Sequence, residues 1–498
     1  MKKLNLKFLI TLIVLVTATT SCNDDFVDVP STAENSEDYF NSEADYRNAL
    51  IGAYDLLQAT YVNVLLGEIA SDNTLCGGEN ATDVIGFQEI DDMIHTPQNS
   101  NLRDLWSWMF AGVNRANYIL EFQNKTDFTG KEQVLAQARF LRAYYYFELV
   151  KWFGDVPLVV DRRFLFGDQF TVDRTPRTQV YAQIEADLIY AADNLPYTQA
   201  ETGRITKGAA QALLGKAYLY QNKFIEAATV LENLIQNGPH DLVATPNDIF
   251  ELDDENNIES VFEVQYSELE GAGFGCLQCS EGNVAVGFSG VRNYVAEPNT
   301  PGDIYSSGFS FNVPVQEVVD EFEAGDLRKD VAILDIDAWA AQTGITFGTG
   351  YEHTGYFNRK YIPRKRSANA SGDRNLTNPN NYRSIRFADV LLMAAEAFNR
   401  RSTPDDAKAQ TYLNRVRRRA FGDMAHDISS TGSTLTNAIY HERRVELMGE
   451  GHRFFDLVRT GRAAQEIDGF VSGKHELFPI PAIEIQLAGN RWAQNPNY

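Results

Sequence analysis

Positive charge is scarce in this sequence. Its 498 residues include 44 lysines and arginines against 68 aspartates and glutamates, which gives a formal net charge of −24 at pH 7. Nucleic-acid binding depends on cationic side chains that neutralise phosphates, and this charge balance would repel a polyanion. The sequence therefore argues against nucleic acid as a partner. Its apolar fraction of 44% is that of a folded soluble protein.

Short motifs of common catalytic chemistry are also missing. The sequence contains no H-E-x-x-H zinc helix, no G-x-S-x-G nucleophile turn, no G-x-x-x-x-G-K-[ST] phosphate loop and no EF-hand loop. Its histidines show no spacing that would suit metal ligands. Carboxylate pairs suited to glycoside hydrolysis could be found anywhere among 68 acidic residues, so their presence decides nothing. We therefore expect no catalytic residue, no metal site and no cofactor.

Cysteine is rare, with four residues in the chain. Cys276 and Cys279 have the C-x-x-C spacing of redox sites or half-zinc sites, but no second Cys or His pair lies nearby. The spacing favours a local disulfide or a pair of buried free thiols over a metal site. Cys76 has no evident partner in the sequence.

Long apolar runs are lacking after the N-terminus. Lys2, Lys3 and Lys7 precede or flank an apolar run at residues 8–16, which predicts a secretory signal peptide at residues 1–21. The run is too short to span a membrane as a mature helix.

Small residues at positions 19–21 lead into Cys22. This arrangement resembles a bacterial lipoprotein box, in which the cysteine thiol is acylated and becomes the new N-terminus, although Thr19 stands where leucine is commonest. The acidic residues at positions 24 and 25 resemble the surface-export signal of Bacteroidetes lipoproteins. We therefore predict a lipid anchor at Cys22, with residues 22–40 as a tether, rather than a membrane-spanning protein. The alternative is an ordinary signal peptide followed by a free cysteine.

Apolar residues at helical spacing fill most of the remaining chain. One stretch matches the offsets of a tetratricopeptide repeat, a pair of packed helices, through Leu214, Gly215, Tyr218, Ala227, Leu231, Leu234 and Pro239. A weaker copy consists of Ala395, Phe398 and Ala407. Such units bury their apolar faces only against neighbouring units. We therefore predict a mainly α fold class, a tetratricopeptide-like helical array.

The helical pattern is interrupted from residue 259 to residue 381. Residues 261–266 predict a short strand, and the rest is rich in glycine and aromatic residues. Long excursions inside a compact domain are usually functional or disordered, and the aromatic content argues against disorder. We therefore divide the mature chain into an N-terminal helical part at 41–258, an irregular insertion with short β-strands at 259–381, and a C-terminal helical part of the same domain at 382–498.

Residues 439–461 carry the densest pattern of the chain. Five residues at three- and four-residue spacing predict one stripe of an amphipathic helix: Val445, Met448, His452, Phe455 and Val458. Acidic and basic residues around the stripe are close enough for ion pairs along the helix. We interpret the stretch as a helix clamped into the core by ion pairs, rather than a catalytic cluster.

The order of residues in this stretch is long enough to be specific. It reads E-R-R-x-E-L from Glu442, E-G-x-R from Glu450 and D-L-x-R-x-G from Asp456. This order resembles the C-terminal motif of the SusD/RagB family, nutrient-binding outer-membrane lipoproteins of Bacteroidetes. Further blocks that resemble the family lie at residues 137–145, 154–157, 322–328, 359–361, 386–392, 478–481 and 494–498. The resemblance implies glycan capture beside a SusC-like TonB-dependent transporter, on the outside of the outer membrane.

The resemblance also implies a binding site drawn from the loop before the second core helix, from that helix and from the insertion. Sugars present a flat CH face that stacks on Trp or Tyr, and hydroxyls that pair with carboxylates, amides and Arg. The candidate glycan-binding residues are Asp72, Asn73, Trp106, Trp108, Tyr294, Tyr305, Trp339 and Arg383. Trp106 falls on the inward stripe of its helix, so a core position is the alternative for it. Trp339 stands apart from any apolar run, and both a sugar platform and a core position are open for it.

We expect a lipid-anchored outer-membrane protein that binds an oligosaccharide or polysaccharide and passes it to the transporter without catalysis. Two alternatives come from other classes. A glycan-degrading surface lipoprotein would turn over its ligand with one carboxylate pair, and a tetratricopeptide-like scaffold would bind only protein. No motif in the insertion names a particular sugar.

Overall fold

Helices make up most of the chain in this computed structural model, which describes residues 38–498 apart from 272, 366, 368, 369 and 374. The longer helices are Glu43–Asp55, Ser100–Glu121, Lys131–Phe153, Arg177–Asn194, Lys207–Tyr220, Phe224–Asn237, Phe387–Arg400, Asp406–Phe421 and Gly432–Glu446. The shorter ones are Val62–Ile69, Ile85–Asp91, Val284–Ser289, Gln316–Asp320, Lys329–Ala332, Ile336–Thr343, Arg453–Arg459, Ala463–Glu466 and Ala482–Leu487. The predicted mainly α class is confirmed. The signal peptide, Cys22 and most of the tether lie outside the described residues.

N-terminal capping residues determine where two of the first scaffold helices begin. The Asp45 carboxylate accepts a hydrogen bond from the Ser42 amide at 2.8 Å, and the Ser42 hydroxyl accepts one from the Asp45 amide, which completes a capping box. Asn99 begins the helix Ser100–Glu121 by accepting hydrogen bonds from two backbone amides, both at 3.1 Å. These local signals explain why the apolar stripes begin where they do.

The long helices pack against one another in chain order, as expected of a repeat array. Within the predicted repeat, Gly215 allows the closest approach, because a Cβ atom there would lie 2.4 Å from Leu231 Cδ2. Phe224–Asn237 packs directly against Phe387–Arg400, although the whole insertion lies between them in sequence. The helices before and after the insertion therefore form one continuous scaffold.

Short antiparallel strand pairs tie the insertion to this scaffold and to itself. The strand Ser260–Val264 pairs with Tyr382–Arg386, so the insertion begins and ends in the same two-stranded sheet. The other pairs are Thr74–Leu75 with Val313–Pro314, Val156–Pro157 with Arg174–Thr175, and Ile333–Asp335 with Tyr356–Asn358. Inside the insertion, Val291, Leu334, Ile336 and Phe357 are buried in a small core of their own.

The prediction of a single helix over residues 439–461 is wrong. The helix Gly432–Glu446 ends at Glu446, and after a turn a second helix, Arg453–Arg459, begins. Gly449 and Gly451 have φ values of 84° and 81°, a left-handed conformation that no continuing right-handed helix can contain. Packing also requires glycine at position 449, because a Cβ atom there would lie 2.5 Å from the side chain of Asn358. Four of the five stripe residues are nevertheless buried, on both sides of the turn, and Val458 is half-buried.

The stretch Glu43–Ile69 is long and apolar enough to cross a membrane, by length and composition alone. Its side chains Tyr46, Leu50 and Leu65 are buried in the protein core. We therefore assign this stretch to the core of the scaffold.

Candidate functional site

Three of the predicted aromatic residues meet in the insertion, and we call Tyr294, Tyr305 and Trp339 the aromatic cluster. Trp339 lies on the helix Ile336–Thr343, which begins at Asp335, whose carboxylate accepts a hydrogen bond from the Ala338 amide at 2.9 Å. The ring centroids of Tyr294 and Tyr305 are 6.2 Å apart, and those of Tyr305 and Trp339 are 5.9 Å apart. Residues far apart in sequence therefore form one group of rings.

Hydrogen bonds fix the position of each ring. The Trp339 indole donates from Nε1 to the Tyr294 hydroxyl at 2.9 Å, and that hydroxyl donates to the Gly302 carbonyl at 2.6 Å. Arg359 Nε donates to the Tyr305 hydroxyl at 2.9 Å. Burial raises the pKa of Tyr294, so its hydroxyl keeps its proton at neutral pH. The rings therefore sit in a fixed arrangement before any ligand arrives.

Trp339 is the member of the cluster that reaches the surface. Tyr294 and Tyr305 are 6% and 5% exposed, whereas Trp339 is half-buried and only packs against the edge of the small core. Asp337 lies exposed in the first turn of the same helix, and Asp303 pairs with Lys365 near Tyr294. The accessible indole face can stack on the CH face of a sugar.

Arg359 holds the Tyr305 hydroxyl of the aromatic cluster, and the sequence alone does not predict this contact. It lies 54 residues from Tyr305, and no periodicity or spacing connects the two. Only the fold, which brings the strand pair Ile333–Asp335 and Tyr356–Asn358 beside the cluster, reveals the contact.

Asp72 and Asn73 do not join the aromatic cluster. The Asp72 carboxylate accepts two hydrogen bonds from Arg453, both at 2.7 Å, and also pairs with Arg444 at 2.9 Å. Asn73 has no exposed surface, and its Oδ1 accepts from Arg444 Nε at 2.9 Å. The expectation that this polar pair contacts a glycan does not fit these positions, because the pair binds arginines of the C-terminal motif.

Arg383 is also occupied by the protein. Its side chain is 2% exposed, and its guanidinium donates to the Asn381 carbonyl at 2.7 Å. Arg383 lies in the strand Tyr382–Arg386, and its side chain points into the scaffold. A glycan contact therefore does not fit Arg383 either.

The two tryptophans of the helix Ser100–Glu121 differ in their surroundings. Trp106 is 3% exposed and packs against Phe110 and Phe153, at centroid distances of 4.8 and 5.2 Å, which matches the core alternative. Trp108 is half-buried, with the Tyr61 ring 6.1 Å away. Neither tryptophan belongs to the aromatic cluster.

No group of three or more His, Cys, Asp or Glu side chains is arranged to hold a metal ion in the part of the chain that the structure describes. Cys276 and Cys279 form a disulfide, which decides between the two alternatives open for this pair. Cys76 is buried and unpaired.

Comparisons with known proteins agree with this architecture. Residues 280–498 match the model of the SusD family, and residues 25–219 match a model described as "Starch-binding associating with outer membrane". A solved structure described as a laminarin-binding SusD-like protein is 34% identical, with a TM-score of 0.84 over 92% of this chain and 100% of that chain. The chain belongs to the SusD family.

Other relatives of this SusD-family protein span nearly the whole chain. Surface glycan-binding protein A from Bacteroides thetaiotaomicron, solved in complex with laminarihexaose, is 26% identical, with a TM-score of 0.81 over 92% of this chain and 100% of that chain. SusD-like protein P2 from Formosa agariphila is 28% identical over 99% of this chain and 100% of its own length.

The C-terminal motif of this SusD-family protein forms a buried ion-pair network, defined here by Arg386, Arg419, Glu259, Glu446 and Glu450. Arg386 donates to Glu450 at 2.7 and 2.8 Å and to Glu259 at 2.6 Å. Arg419 donates to Glu446 at 2.6 Å and to Glu259 at 2.9 Å. The interpretation of the motif as ion pairs within the core fits this geometry, although the pairs join different elements rather than one helix face.

Burial alone would raise the pKa of the Glu446 carboxyl, but Arg419 and Arg386 hold that pKa well below its usual range. The insertion adds two further cations to the network. Arg328 donates to Glu446 at 3.0 Å, and Lys360 donates to Glu450 at 2.7 Å. All carboxylates of the network therefore have their full set of cationic partners only when the insertion is folded onto the scaffold.

Proposed function

We propose that this SusD-family protein binds a neutral glucan of the laminarin type at the aromatic cluster and acts without catalysis. The observation that carries the proposal is the half-buried Trp339 indole, which two buried tyrosines hold in place. The ligand class is supported by two similar structures whose descriptions name laminarin and laminarihexaose.

The aromatic cluster suits a sugar for physical reasons. A rigid indole loses little conformational entropy when a sugar ring stacks on it, because the Tyr294 hydroxyl already fixes its orientation. Since the cluster contains neither a paired carboxylate dyad nor an activated nucleophile, it can bind and orient a glycan but not cleave it.

We further infer that the protein is anchored by Cys22 in the outer membrane, faces the cell exterior and delivers its glycan to a SusC-like TonB-dependent transporter. Family membership and the outer-membrane association in the name of the matching family model support this inference. The tether of residues 22–40 would leave the folded scaffold outside the lipid.

The test is calorimetric titration of laminarihexaose into the mature protein and into Trp339→Ala. We expect the substitution to weaken binding at the cluster by roughly 30-fold, the loss of an aromatic hot spot of about 2 kcal/mol. The matched control Trp339→Phe keeps an aromatic face and should retain most of the affinity.

Chromatography of the same mixtures separates binding from catalysis. Unchanged hexaose after long incubation is the expected result, and release of shorter sugars would show an enzyme instead. Binding that is equal in Trp339→Ala and the wild type would remove Trp339 from the site. A large fall in the melting temperature of Trp339→Ala would assign the residue to the core.

A further inference from the structure

A concave surface lies outside the insertion, and we call it the outer groove. It has a volume of about 500 Å³, within the usual range for small-molecule sites. It is formed by the helix Ser100–Glu121, the loop that follows residue 157 and the C-terminal segment after residue 482. Its lining includes Trp106, Phe110, Phe164, Phe166, Gln169 and Trp492. It shares no residue with the aromatic cluster.

Packed aromatic rings form the floor of the outer groove. Phe110 lies 4.8 Å from Trp106 and 5.5 Å from Phe164, measured between ring centroids. Trp492 lies 6.3 Å from Trp106, and its Nε1 donates to the Val172 carbonyl at 3.1 Å. The floor is therefore rigid, and its rings are tilted against one another, with Phe110 and Phe164 more accessible than Trp106 and Trp492.

The rim of the outer groove is apolar and open to solvent. Phe166 is 99% exposed, and Leu165 and Leu487 are 54% and 47% exposed. A nearly fully exposed phenylalanine beside a ring-lined groove is the kind of surface that marks a binding site.

Polar groups in the outer groove retain donors that the protein does not use. The Asn114 side-chain oxygen accepts from the Phe164 amide at 2.7 Å, and the Gln169 side-chain oxygen accepts from the Gly167 amide at 2.9 Å. In the part of the chain that the structure describes, neither side-chain NH2 group donates a hydrogen bond to protein. Asp168 and Glu484 also line the groove, but Arg162 already donates to both Asp168 oxygens, at 2.5 and 3.1 Å, and the Trp106 indole donates to Glu484.

We propose that the outer groove is a second oligosaccharide-binding site, one that takes a neutral, hydroxyl-bearing sugar. The exposed rings stack on the CH face of a sugar, and the free amide donors meet its oxygens. No Lys or Arg side chain is among the described residues that line the groove, and the Glu484 carboxylate disfavours a uronate or a sulfated sugar. An apolar protein segment would cover the rings but leave the amide donors unpaired, at a cost for each one. The ligand class rests on the proposed function, but the site does not rest on Trp339.

The decisive experiment uses the mature protein with Trp339→Ala as background, so that binding at the aromatic cluster is weakened by roughly 30-fold. Laminarihexaose is titrated calorimetrically into this variant. We expect residual binding at the outer groove. Adding Ala111→Trp, an exposed position on the groove wall, should fill the groove and weaken the residual binding at least tenfold. Adding Phe166→Ala should weaken it severalfold, because the ring is lost without any buried packing.

The control on the same background is Met424→Ala, which removes an apolar side chain that is 68% exposed and lies outside the groove. It should leave the residual binding unchanged. All variants are compared by melting temperature, which should agree with the background within a degree or two because the changed positions are exposed.

Each outcome decides the proposal separately from the proposed function. If the wild type binds laminarihexaose but Trp339→Ala shows no residual binding, the second site is overturned and the proposed function stands. If residual binding survives Ala111→Trp, the groove is not the site. If the wild type binds neither laminarihexaose nor maltohexaose, cellohexaose and mannohexaose, both proposals fail. If Phe166→Ala weakens capture of a purified SusC-like transporter but not of sugar, the groove is a protein-docking surface and the proposal is overturned.

Discussion

Arg453 shows what a single side chain of the C-terminal motif does in this molecule. It is buried, and both of its hydrogen bonds to Asp72 are 2.7 Å long. Asp72 lies in the N-terminal part, between the helices Val62–Ile69 and Ile85–Asp91, whereas Arg453 belongs to the motif near the C-terminus. The pair therefore joins the two ends of the scaffold and has no contact with the aromatic cluster.

We predict that Arg453→Ala lowers the free energy of unfolding by about 2–3 kcal/mol, because it leaves part of the Asp72 charge uncompensated in a buried site. Urea denaturation measures the change. The control Arg47→Ala breaks an exposed pair with Glu43 at 2.7 Å and should cost about 0.5 kcal/mol or less. Affinity for laminarihexaose should be the same in both variants, and a selective loss of affinity in Arg453→Ala would contradict a structural role.

Glu68 makes stability depend on pH. Burial raises the pKa of its carboxyl from 4.5 to about 7, although the Gly451 amide donates to it at 2.7 Å. The folded protein therefore holds this proton more tightly than the unfolded chain, so the Glu68 contribution to stability is present below pH 4.5 and is lost as the pH rises to about 7.

Glu68→Gln keeps an acceptor for the Gly451 amide but cannot ionise. We predict that the free energy of unfolding of this variant, relative to that of the wild type, increases from pH 5 to pH 8. The full gain is about 3 kcal/mol, from a pKa change of about 2.5 units. Urea denaturation of both proteins at the two pH values measures it. An equal difference between the two proteins at both pH values would show that Glu68 does not titrate in this range.

At the scale of elements, the turn between the helices Gly432–Glu446 and Arg453–Arg459 depends on Gly449. We predict that Gly449→Ala lowers the free energy of unfolding by about 2–4 kcal/mol, because it adds backbone strain at φ 84° and a clash with Asn358. Gly461→Ala is the matched control, since its φ is 71° but nothing lies within 4 Å of the added Cβ. It should cost only the strain, about 1–2 kcal/mol, as measured by thermal unfolding.

The same turn shows where sequence reasoning reaches its limit. The apolar stripe from Val445 to Val458 is a local pattern, and it correctly indicates that Val445, Met448 and Phe455 are buried, although Val458 is half-buried. The break within it is caused by Asn358 and by the close approach of Gly67 to Gly451, and both partners are remote in sequence. Asp72 illustrates the same limit, because its exposure could not be judged before the fold placed Arg453 beside it.

The aromatic candidates also show which positions a local pattern can predict and which it cannot. Helical spacing indicates the core position of Trp106, and the structure agrees. Residue type alone selects Tyr294, Tyr305 and Trp339, but their meeting in one cluster follows from the loops and short strands of the insertion, whose geometry has no sequence period.

At the scale of the whole molecule, the insertion and the scaffold share one ion-pair network. Arg328 and Lys360 come from the insertion, while Glu446 and Glu450 come from the C-terminal part. Unfolding the insertion alone would leave buried carboxylates without two of their cations, which is costly. The boundaries at 259 and 381 therefore mark a change of pattern in the sequence rather than an independently folding unit.

We predict that the mature protein unfolds in one cooperative transition. Near-ultraviolet circular dichroism, intrinsic tryptophan fluorescence and calorimetry should give coincident midpoints. Trp339 reports on the insertion and Trp152, a buried residue of Lys131–Phe153, reports on the scaffold. Two separated transitions, with the Trp339 signal lost first, would show that the insertion melts independently.

The strand pair that closes the insertion has a consequence for engineering. Because Ser260–Val264 and Tyr382–Arg386 lie side by side, the chain leaves and re-enters the scaffold through adjacent strands, about 4.8 Å apart. A loop graft from a relative could therefore be joined at these two strands without moving the helices. Such a graft would have to carry its own equivalents of Arg328 and Lys360. Whether a chimera with new sugar specificity folds would therefore depend on two cations that do not contact the sugar.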